Sequence, residues 1–154
     1  TIEILIPDFK GSKNALEIIL DENPNILNHN LETVPRLYQD VRPDADYNRS
    51  LNLLKKAREI NPELTTKSGL ILGLGEEYHE IIDVMKDLRT AGCNILTIGQ
   101  YLSPGKEFIP IKHFYHPYEF RRLKYEGEKM RFKHVESGPL VRSSYHAAEQ
   151  FKLF

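Results

Sequence analysis

The sequence predicts an α/β protein built around a parallel sheet. Short apolar runs rich in β-branched residues alternate with amphipathic segments in the order β-α-β-α-β-α-β, and this alternation is typical of parallel sheets. The run at residues 68–74 (SGLILGL) is apolar on both faces, as expected of a parallel strand that is covered from both sides. At 154 residues, the chain is long enough for one domain with a sizeable core. The pattern fits either an open sheet or a barrel.

The first third of the chain contains two predicted strands and one clear helix. Residues 2–6 form a short β-branched run, residues 13–21 have helical periodicity, and residues 25–30 form a second strand-like run. Thr33 is placed to cap the next helix, with Pro35 in its first turn.

A longer helix is predicted next, beginning after Asp46 and ending near Ile60, because aspartate is a good helix cap. Its predicted apolar stripe consists of Leu51, Leu54 and Ala57, flanked by Leu53 and Ile60. The strand at 68–74 follows.

The next helix is predicted to begin at Glu76 and Glu77, whose charges complement the helix dipole, and to end at Gly92. Its predicted apolar stripe consists of Ile81, Ile82, Met85 and Leu88.

The last part of the chain is predicted to hold two strands and two helices. Residues 94–101 (NILTIGQY) form a fourth strand, and a loop leads to a helix that starts near Pro117. Residues 133–137 are a candidate last strand, and a terminal helix is predicted from Ser143 onward.

Composition excludes several functional classes. With 21 basic and 22 acidic residues, the formal charge is −1, which gives no indication of nucleic-acid binding. No apolar run approaches the ~20 residues needed to cross a bilayer, and the first residues, which form a strand-like run, are not expected to be a signal peptide. Because the chain begins inside that strand without Met, we expect further residues upstream of Thr1.

Cys93 is the only cysteine, so the chain has no internal disulfide and cannot build a cluster site from its own thiolates alone. Just before a strand, it is expected to be a small buried apolar residue.

The end of the third strand carries the first candidate motif, Gly69-Leu70-Ile71-Leu72-Gly73-Leu74-Gly75-Glu76. Glycines at a strand end let a flat ligand approach the backbone, and free N–H groups at a helix start bind polar atoms. The plain alternative is a strand-to-helix turn. The string also matches G-x-I-x-G-x-x-E, the adenine-side motif of radical S-adenosylmethionine enzymes.

The end of the second strand carries Asn28-His29-Asn30-Leu31-Glu32-Thr33. An amide such as Asn30 can bond a ribose hydroxyl or a carboxylate, and Glu32 can accept from hydroxyl or ammonium groups. The alternative is a polar network inside a barrel, with His29 as a structural histidine.

Three further regions of the chain carry candidate site residues. Gln100 can bond an adenine edge and Tyr101 can stack on it, although both also suit packing at a barrel rim. Lys67 could bind an anion, but a solvated lysine is the simpler interpretation. In the segment 137–146 (SGPLVRSSYH), Ser143 or Ser144 could cap a helix, or ligate iron through oxygen.

Taken together, these strings resemble the lipoyl synthase family over nearly the whole chain. The matching stretches are IEILIPDFKG, HNLETVPRLY, VRPDADY, TKSGLILGLGE, LTIGQYLSP and SGPLVRSSYH. Long ordered matches of this kind are far more specific than any single motif.

The resemblance implies a partial TIM-like (β/α)6-type parallel barrel, incomplete, with a C-terminal extension. Residues 1–154 would be the C-terminal part of one radical S-adenosylmethionine barrel, about strands 3 to 6 plus the tail. It also implies S-adenosylmethionine and two 4Fe–4S clusters, whose cysteine motifs this chain lacks. The activity implied is the insertion of sulfur at C6 and C8 of an octanoyl group on a lipoyl carrier protein or lipoyl domain.

The resemblance also assigns roles to residues. Those expected to face S-adenosylmethionine are Asn30, Glu32, Gly73, Glu76, Gln100 and Tyr101. Ser144, in preference to Ser143, would be the oxygen ligand of the auxiliary cluster, with Arg142 and Lys67 in support.

The chain alone is expected to be inactive, to bind no stable cluster and to expose an unpaired strand edge. The expected compartment is the bacterial cytoplasm, or the mitochondrion for a eukaryotic protein. Two alternatives stay open: a non-catalytic α/β nucleoside-binding domain and a generic phosphate-binding barrel enzyme.

Overall fold

A computed structural model describes residues 1–145 and contains one five-stranded parallel sheet. The strands lie in chain order: β1 Glu3–Leu5, β2 Ile26–Asn28, β3 Thr65–Leu72, β4 Ile95–Gln100 and β5 His134–Ser137. Every neighbouring pair is parallel, and β1 does not close on β5. The predicted parallel α/β class is confirmed, in the form of an open sheet.

Helices connect the strands as predicted. They are α1 Lys13–Asp21, α2 Tyr38–Val41, α3 Tyr47–Ile60, α4 Tyr78–Thr90 and α5 Pro117–Lys129, with short 3-10 turns at Phe9–Gly11 and Pro35–Leu37. No helix in residues 1–145 combines the length and hydropathy that crossing a membrane requires. The helix predicted from Ser143 onward falls mostly outside the described residues; Ser143 to Tyr145 form a turn.

Local capping signals set most helix ends. The Asp46 side chain accepts from the Arg49 amide at 2.7 Å and caps α3 as predicted. Glu77, rather than Glu76, caps α4, and Gly92 follows that helix with a φ of +85°. The predicted Thr33 cap is wrong, because the turn at Pro35 starts from Val34 and uses no side-chain cap.

The helices bury their apolar faces on one side of the sheet. The buried stripe of α3 consists of Ser50, Leu53, Leu54 and Ala57, and that of α4 consists of Ile81, Val84, Met85 and Leu88. Each differs from the predicted stripe, because the packing partner decides which flank of an apolar face is covered. Cys93 is fully buried, as predicted.

The other face of the sheet is the inner face of the partial barrel, and it carries buried polar groups. Asn28, Lys67, Ile95 and His134 align across adjacent strands, so their side chains share this face. Lys67 has no exposed surface and pairs with Glu3, with Nζ 2.9 Å from Oε1. The interpretation of Lys67 as a solvated lysine is therefore wrong, because the residue lies inside β3.

Candidate functional site

A cleft of about 150 Å³ opens at the C-terminal end of β2, β3 and β4. It is lined by Asn30, Glu32, Gly69, Leu70, Ile71, Thr97, Gly99, Val141, Arg142 and Ser143. Ligands bind at this end of the strands in parallel α/β proteins. The cleft thus brings together three segments that the sequence singled out separately.

Asn30 supplies an unsatisfied acceptor. Its Oδ1 atom is buried, and within residues 1–145 it has no hydrogen-bond partner. Buried polar atoms nearly always have a partner, so this oxygen is suited to accept from a bound ligand.

Glu32 lies beside Asn30 in a strained backbone conformation. Its φ of +66° is in the left-handed region, which a residue with a long side chain seldom adopts. The backbone is held there because the Glu32 amide donates to the Gly69 carbonyl at 2.9 Å and the Ile71 amide donates to the Glu32 carbonyl at 2.8 Å. Burial raises the pKa of Glu32, while a hydrogen bond from Asn30 and the charge of Arg42 oppose the rise.

Two glycines in the cleft lining let neighbouring groups approach the strand backbone closely. A Cβ at Gly69 would lie 2.9 Å from both Asn30 Oδ1 and Thr97 Oγ1, and a Cβ at Gly99 would overlap the Val141 carbonyl oxygen. The returning tail therefore packs directly on the backbone of β4.

The two serines of the tail, Ser143 and Ser144, differ in their position relative to the cleft. Ser143 borders the cleft, whereas Ser144 is exposed in the turn that ends the described region. The Arg142 side chain donates to the Val141 carbonyl at 2.6 Å and also borders the cleft. His146, the last residue of the predicted tail motif, lies outside the described residues.

The glycine loop, residues 73–76, is not part of the cleft lining, although Leu74 lines the adjoining groove. Glu76 is buried, and its carboxylate accepts from the Gly73 amide at 2.6 Å and the Leu74 amide at 3.0 Å. Gly73 has a φ of +112° and touches the Gln100 side-chain amide so closely that no Cβ fits.

Gln100 is also buried, and it holds the long loop between β4 and α5. Its Nε2 donates to the carbonyls of Leu72 at 2.9 Å and His113 at 3.0 Å, and its Oε1 accepts from the Tyr115 amide at 3.0 Å. The structure therefore does not bring Gln100 and Glu76 into the cleft with Asn30; both support the loops around it.

A second groove of about 290 Å³ adjoins the cleft and shares Glu32 and Ile71 with it. Its other lining residues are mostly apolar: Val41, Arg42, Leu74, Tyr101, Pro104, Phe108 and Ile109. The Tyr101 hydroxyl donates to the Ile109 carbonyl at 2.9 Å, and both residues line the groove.

Arg42 is a functional candidate that sequence reasoning missed. Its Nη1 donates to the Asn30 carbonyl at 3.0 Å, and its guanidinium carbon lies 5.6 Å from the centroid of the Tyr38 ring. The sequence signal that could have found Arg42 is its place in VRPDADY, residues 41–47, one of the stretches that resemble lipoyl synthases.

No thiolate lies at the cleft. Cys93 precedes the first residue of β4, at the opposite end of the strand, and burial raises the pKa of its thiol to about 12. Among residues 1–145, no group of three or more His, Cys, Asp or Glu side chains is arranged to hold a metal ion.

The sequence model of the radical SAM superfamily matches residues 1–88, more than half of the chain. The chain belongs to the radical SAM superfamily.

Within this superfamily, the chain is similar to curated bacterial lipoyl synthases. It is 54% identical to the lipoyl synthase of Caldanaerobacter subterraneus over 96% of this chain and 52% of the relative. It is 56% identical to that of Koribacter versatilis over 97% of this chain and 49% of the relative. This radical SAM chain thus spans about half the length of the curated relatives it matches.

A solved structure supports the architecture. The crystal structure of Streptococcus suis SuiB bound to precursor peptide SuiA aligns with a TM-score of 0.63 over 88% of this chain and 31% of SuiB. At 18% sequence identity, this likeness concerns the fold alone.

Proposed function

We propose that the protein to which this chain belongs is a lipoyl synthase. It would insert two sulfur atoms, at C6 and C8 of a protein-bound octanoyl group, using S-adenosylmethionine and two 4Fe–4S clusters. The observation that carries this proposal is the convergence of Asn30, Glu32 and the Arg142–Ser143 tail on one cleft. Identity above 50% to lipoyl synthases over nearly the whole chain supports it.

The residues of the cleft and groove fit S-adenosylmethionine. Asn30 Oδ1 is an unused acceptor for a ribose hydroxyl, and the Glu32 carboxylate can accept from a hydroxyl or an ammonium group. The apolar groove beside them suits an adenine ring, with Tyr101 at its wall. Arg42 is the natural partner for a carboxylate in this groove, because its guanidinium forms paired hydrogen bonds to such groups.

Other predicted site residues act indirectly in this proposal. Glu76, Gly73 and Gln100 would keep the loops around the nucleoside in place through the hydrogen bonds that they already make. Lys67 would support the inner face of the barrel through its pair with Glu3.

The chain's own residues do not fit a thiolate-ligated cluster. Its one cysteine, Cys93, is buried at the far end of β4. Ser144, exposed in the tail, stays our candidate for a single oxygen ligand of the auxiliary cluster, with Ser143 as the second choice. We therefore expect this chain alone to be inactive.

The proposed partner is an octanoylated lipoyl carrier protein or lipoyl domain, and the proposed compartment is the bacterial cytoplasm. Both follow from the lipoyl synthase assignment and are tested with it.

Binding of S-adenosylhomocysteine, measured by calorimetry on the full-length protein, tests the cofactor cleft. We expect Asn30→Ala to weaken binding about tenfold, because one good hydrogen bond to a ligand is worth about 1 kcal/mol or somewhat more. Asn52→Ala, on the exposed face of α3, is the matched control and should bind like the unmodified protein.

The reaction itself is tested by mass spectrometry of an octanoylated lipoyl-domain peptide incubated with the full-length reconstituted protein, S-adenosylmethionine and a one-electron reductant. Addition of two sulfur atoms supports the proposal. Nucleoside binding without any sulfur insertion would instead favour a non-catalytic nucleoside-binding domain.

A further inference from the structure

Two segments lie beside the proposed nucleoside site: residues 30–32 and the glycine loop at residues 73–76. One arginine, Arg36, follows the first segment and contacts the second. Arg36 lies in the 3-10 turn after the Asn30–Glu32 segment. Its Nη2 donates to the Gly75 carbonyl at 2.9 Å, inside the glycine loop. The same nitrogen donates to Glu80 Oε2 at 2.8 Å, and Nε donates to Glu80 Oε1 at 2.8 Å.

This arrangement needs a guanidinium group. Its planar fork can bind both carboxylate oxygens of Glu80 and still reach a backbone carbonyl, whereas a lysine presents a single compact charge. The hydrogen bonds from Arg36 hold the pKa of Glu80 down to about 2, so the pair is charged at neutral pH.

Glu80 connects the contact to the start of α4. Its Oε2 also accepts from the Glu77 amide at 2.8 Å, as part of the capping box of that helix. Arg36 therefore ties the segment after β2 to both the glycine loop and the first turn of α4.

The glycine loop has a backbone conformation that external contacts can stabilise. Gly73 and Gly75 have φ values of +112° and +109°, and glycine is free to leave such conformations because it has many alternatives. Glu76 fixes the amides of Gly73 and Leu74 from within the loop. Arg36 adds a contact to the Gly75 carbonyl from outside the loop.

We propose that Arg36 is a positioning residue that fixes the glycine loop relative to Asn30 and Glu32, through its joint contact with Glu80 and the Gly75 carbonyl. The proposal rests on the proposed nucleoside site. Arg36 is not among the residues that line the cleft, and its side chain is half exposed, so its removal should affect global stability little.

Hydrogen exchange of the full-length protein provides the first test. In Arg36→Lys and Glu80→Gln, we expect the amides of residues 73–77 to exchange about tenfold faster. Opening of the glycine loop costs less free energy in these variants, because the joint contact of Arg36 with Glu80 and Gly75 no longer has to be broken. Arg121→Lys, an exposed arginine on α5 that lies over the Tyr118 ring, is the matched control and should leave these amides unchanged. Unchanged exchange in both Arg36→Lys and Glu80→Gln would overturn the proposal.

Calorimetry with S-adenosylhomocysteine provides the second test, alongside the melting temperature. We expect Arg36→Lys to bind about fivefold more weakly, within the range of indirect coupling, with a melting temperature close to that of Arg121→Lys. Faster exchange without weaker binding would show a merely structural contact and contradict the positioning role.

The two proposals fail in distinguishable ways. If the unmodified protein does not bind S-adenosylhomocysteine, the proposed function is wrong and the positioning role is overturned with it. If the unmodified protein binds and Arg36→Lys binds equally well, only the positioning role is wrong.

Discussion

At the scale of single residues, Glu32 shows how the site is built at the expense of local stability. It combines a left-handed backbone with a carboxylate whose pKa is raised by burial. Each feature disfavours the folded state at neutral pH, and both occur where the cleft needs an acceptor. Strain of this kind concentrates at functional positions.

Replacing Glu32 by Gln tests the pKa argument. Because the folded state holds the Glu32 proton more tightly than the unfolded state, the stability this group contributes is present at low pH and is lost as pH rises through the raised pKa. We therefore expect Glu32→Gln to have a higher free energy of unfolding than the unmodified chain at pH 7, and expect that advantage to shrink at pH 4.

Urea denaturation at both pH values measures this difference. Glu63→Gln, at an exposed loop position, is the control and should show no comparable change with pH. An advantage of Glu32→Gln that is equal at both pH values would contradict the burial argument.

At the scale of elements, the end of β4 is where the tail meets the sheet. The Gly138 amide donates to the Ile98 carbonyl at 3.0 Å, and the Val141 carbonyl lies against Gly99. The tail can close one side of the cleft only because position 99 has no side chain.

Gly99→Ala tests this packing. We expect a loss of about 1–3 kcal/mol in the free energy of unfolding, typical of overpacking, because the new Cβ overlaps a backbone oxygen that cannot rotate away. Chemical denaturation followed by circular dichroism measures the loss. Gly105→Ala is the matched control, since its Cβ would meet only the flexible Glu107 carboxylate, and an equal loss in both variants would contradict the explanation.

The sequence predicted the elements better than the contacts between them. The strand runs, the Asp46 cap and the stop at Gly92 are local signals, and the structure confirms them. The failure at Thr33 arose because Pro35 starts a 3-10 turn one residue later than a Thr33 cap requires.

The site was predictable to the extent that it depends on strand ends. Asn30 and Glu32 follow β2 and border the cleft, while their contact with S-adenosylmethionine stays a prediction. The surroundings of Gln100 were not predictable, because its partners His113 and Tyr115 reach it only when a long loop folds back. The burial of Lys67 likewise depends on Glu3, which is distant in sequence.

At the scale of the whole molecule, the sheet is open and β1 forms one of its edges. Two apolar side chains at this edge are largely exposed, Ile2 at 60% and Leu5 at 62%. An edge with free backbone groups and apolar side chains is a template for association.

We expect the isolated chain to self-associate through this edge. The apparent mass in light scattering should rise with concentration, and the double variant Ile2→Lys, Leu5→Lys should shift it toward the monomer, because charged edge residues oppose strand pairing. Ile18→Lys, at an apolar position on α1 with 58% exposure, is the control. Equal association in the edge variant and the control would contradict an interface at β1.

The central claim is that the ends of β2, β3 and β4, with the returning tail, form the nucleoside site of a radical SAM enzyme. A crystal structure of the full-length protein with S-adenosylhomocysteine tests it most directly. We predict ribose oxygens within hydrogen-bond distance of Asn30 Oδ1 and the Glu32 carboxylate. A ligand bound elsewhere, with Asn30 Oδ1 still unpartnered, would contradict the claim.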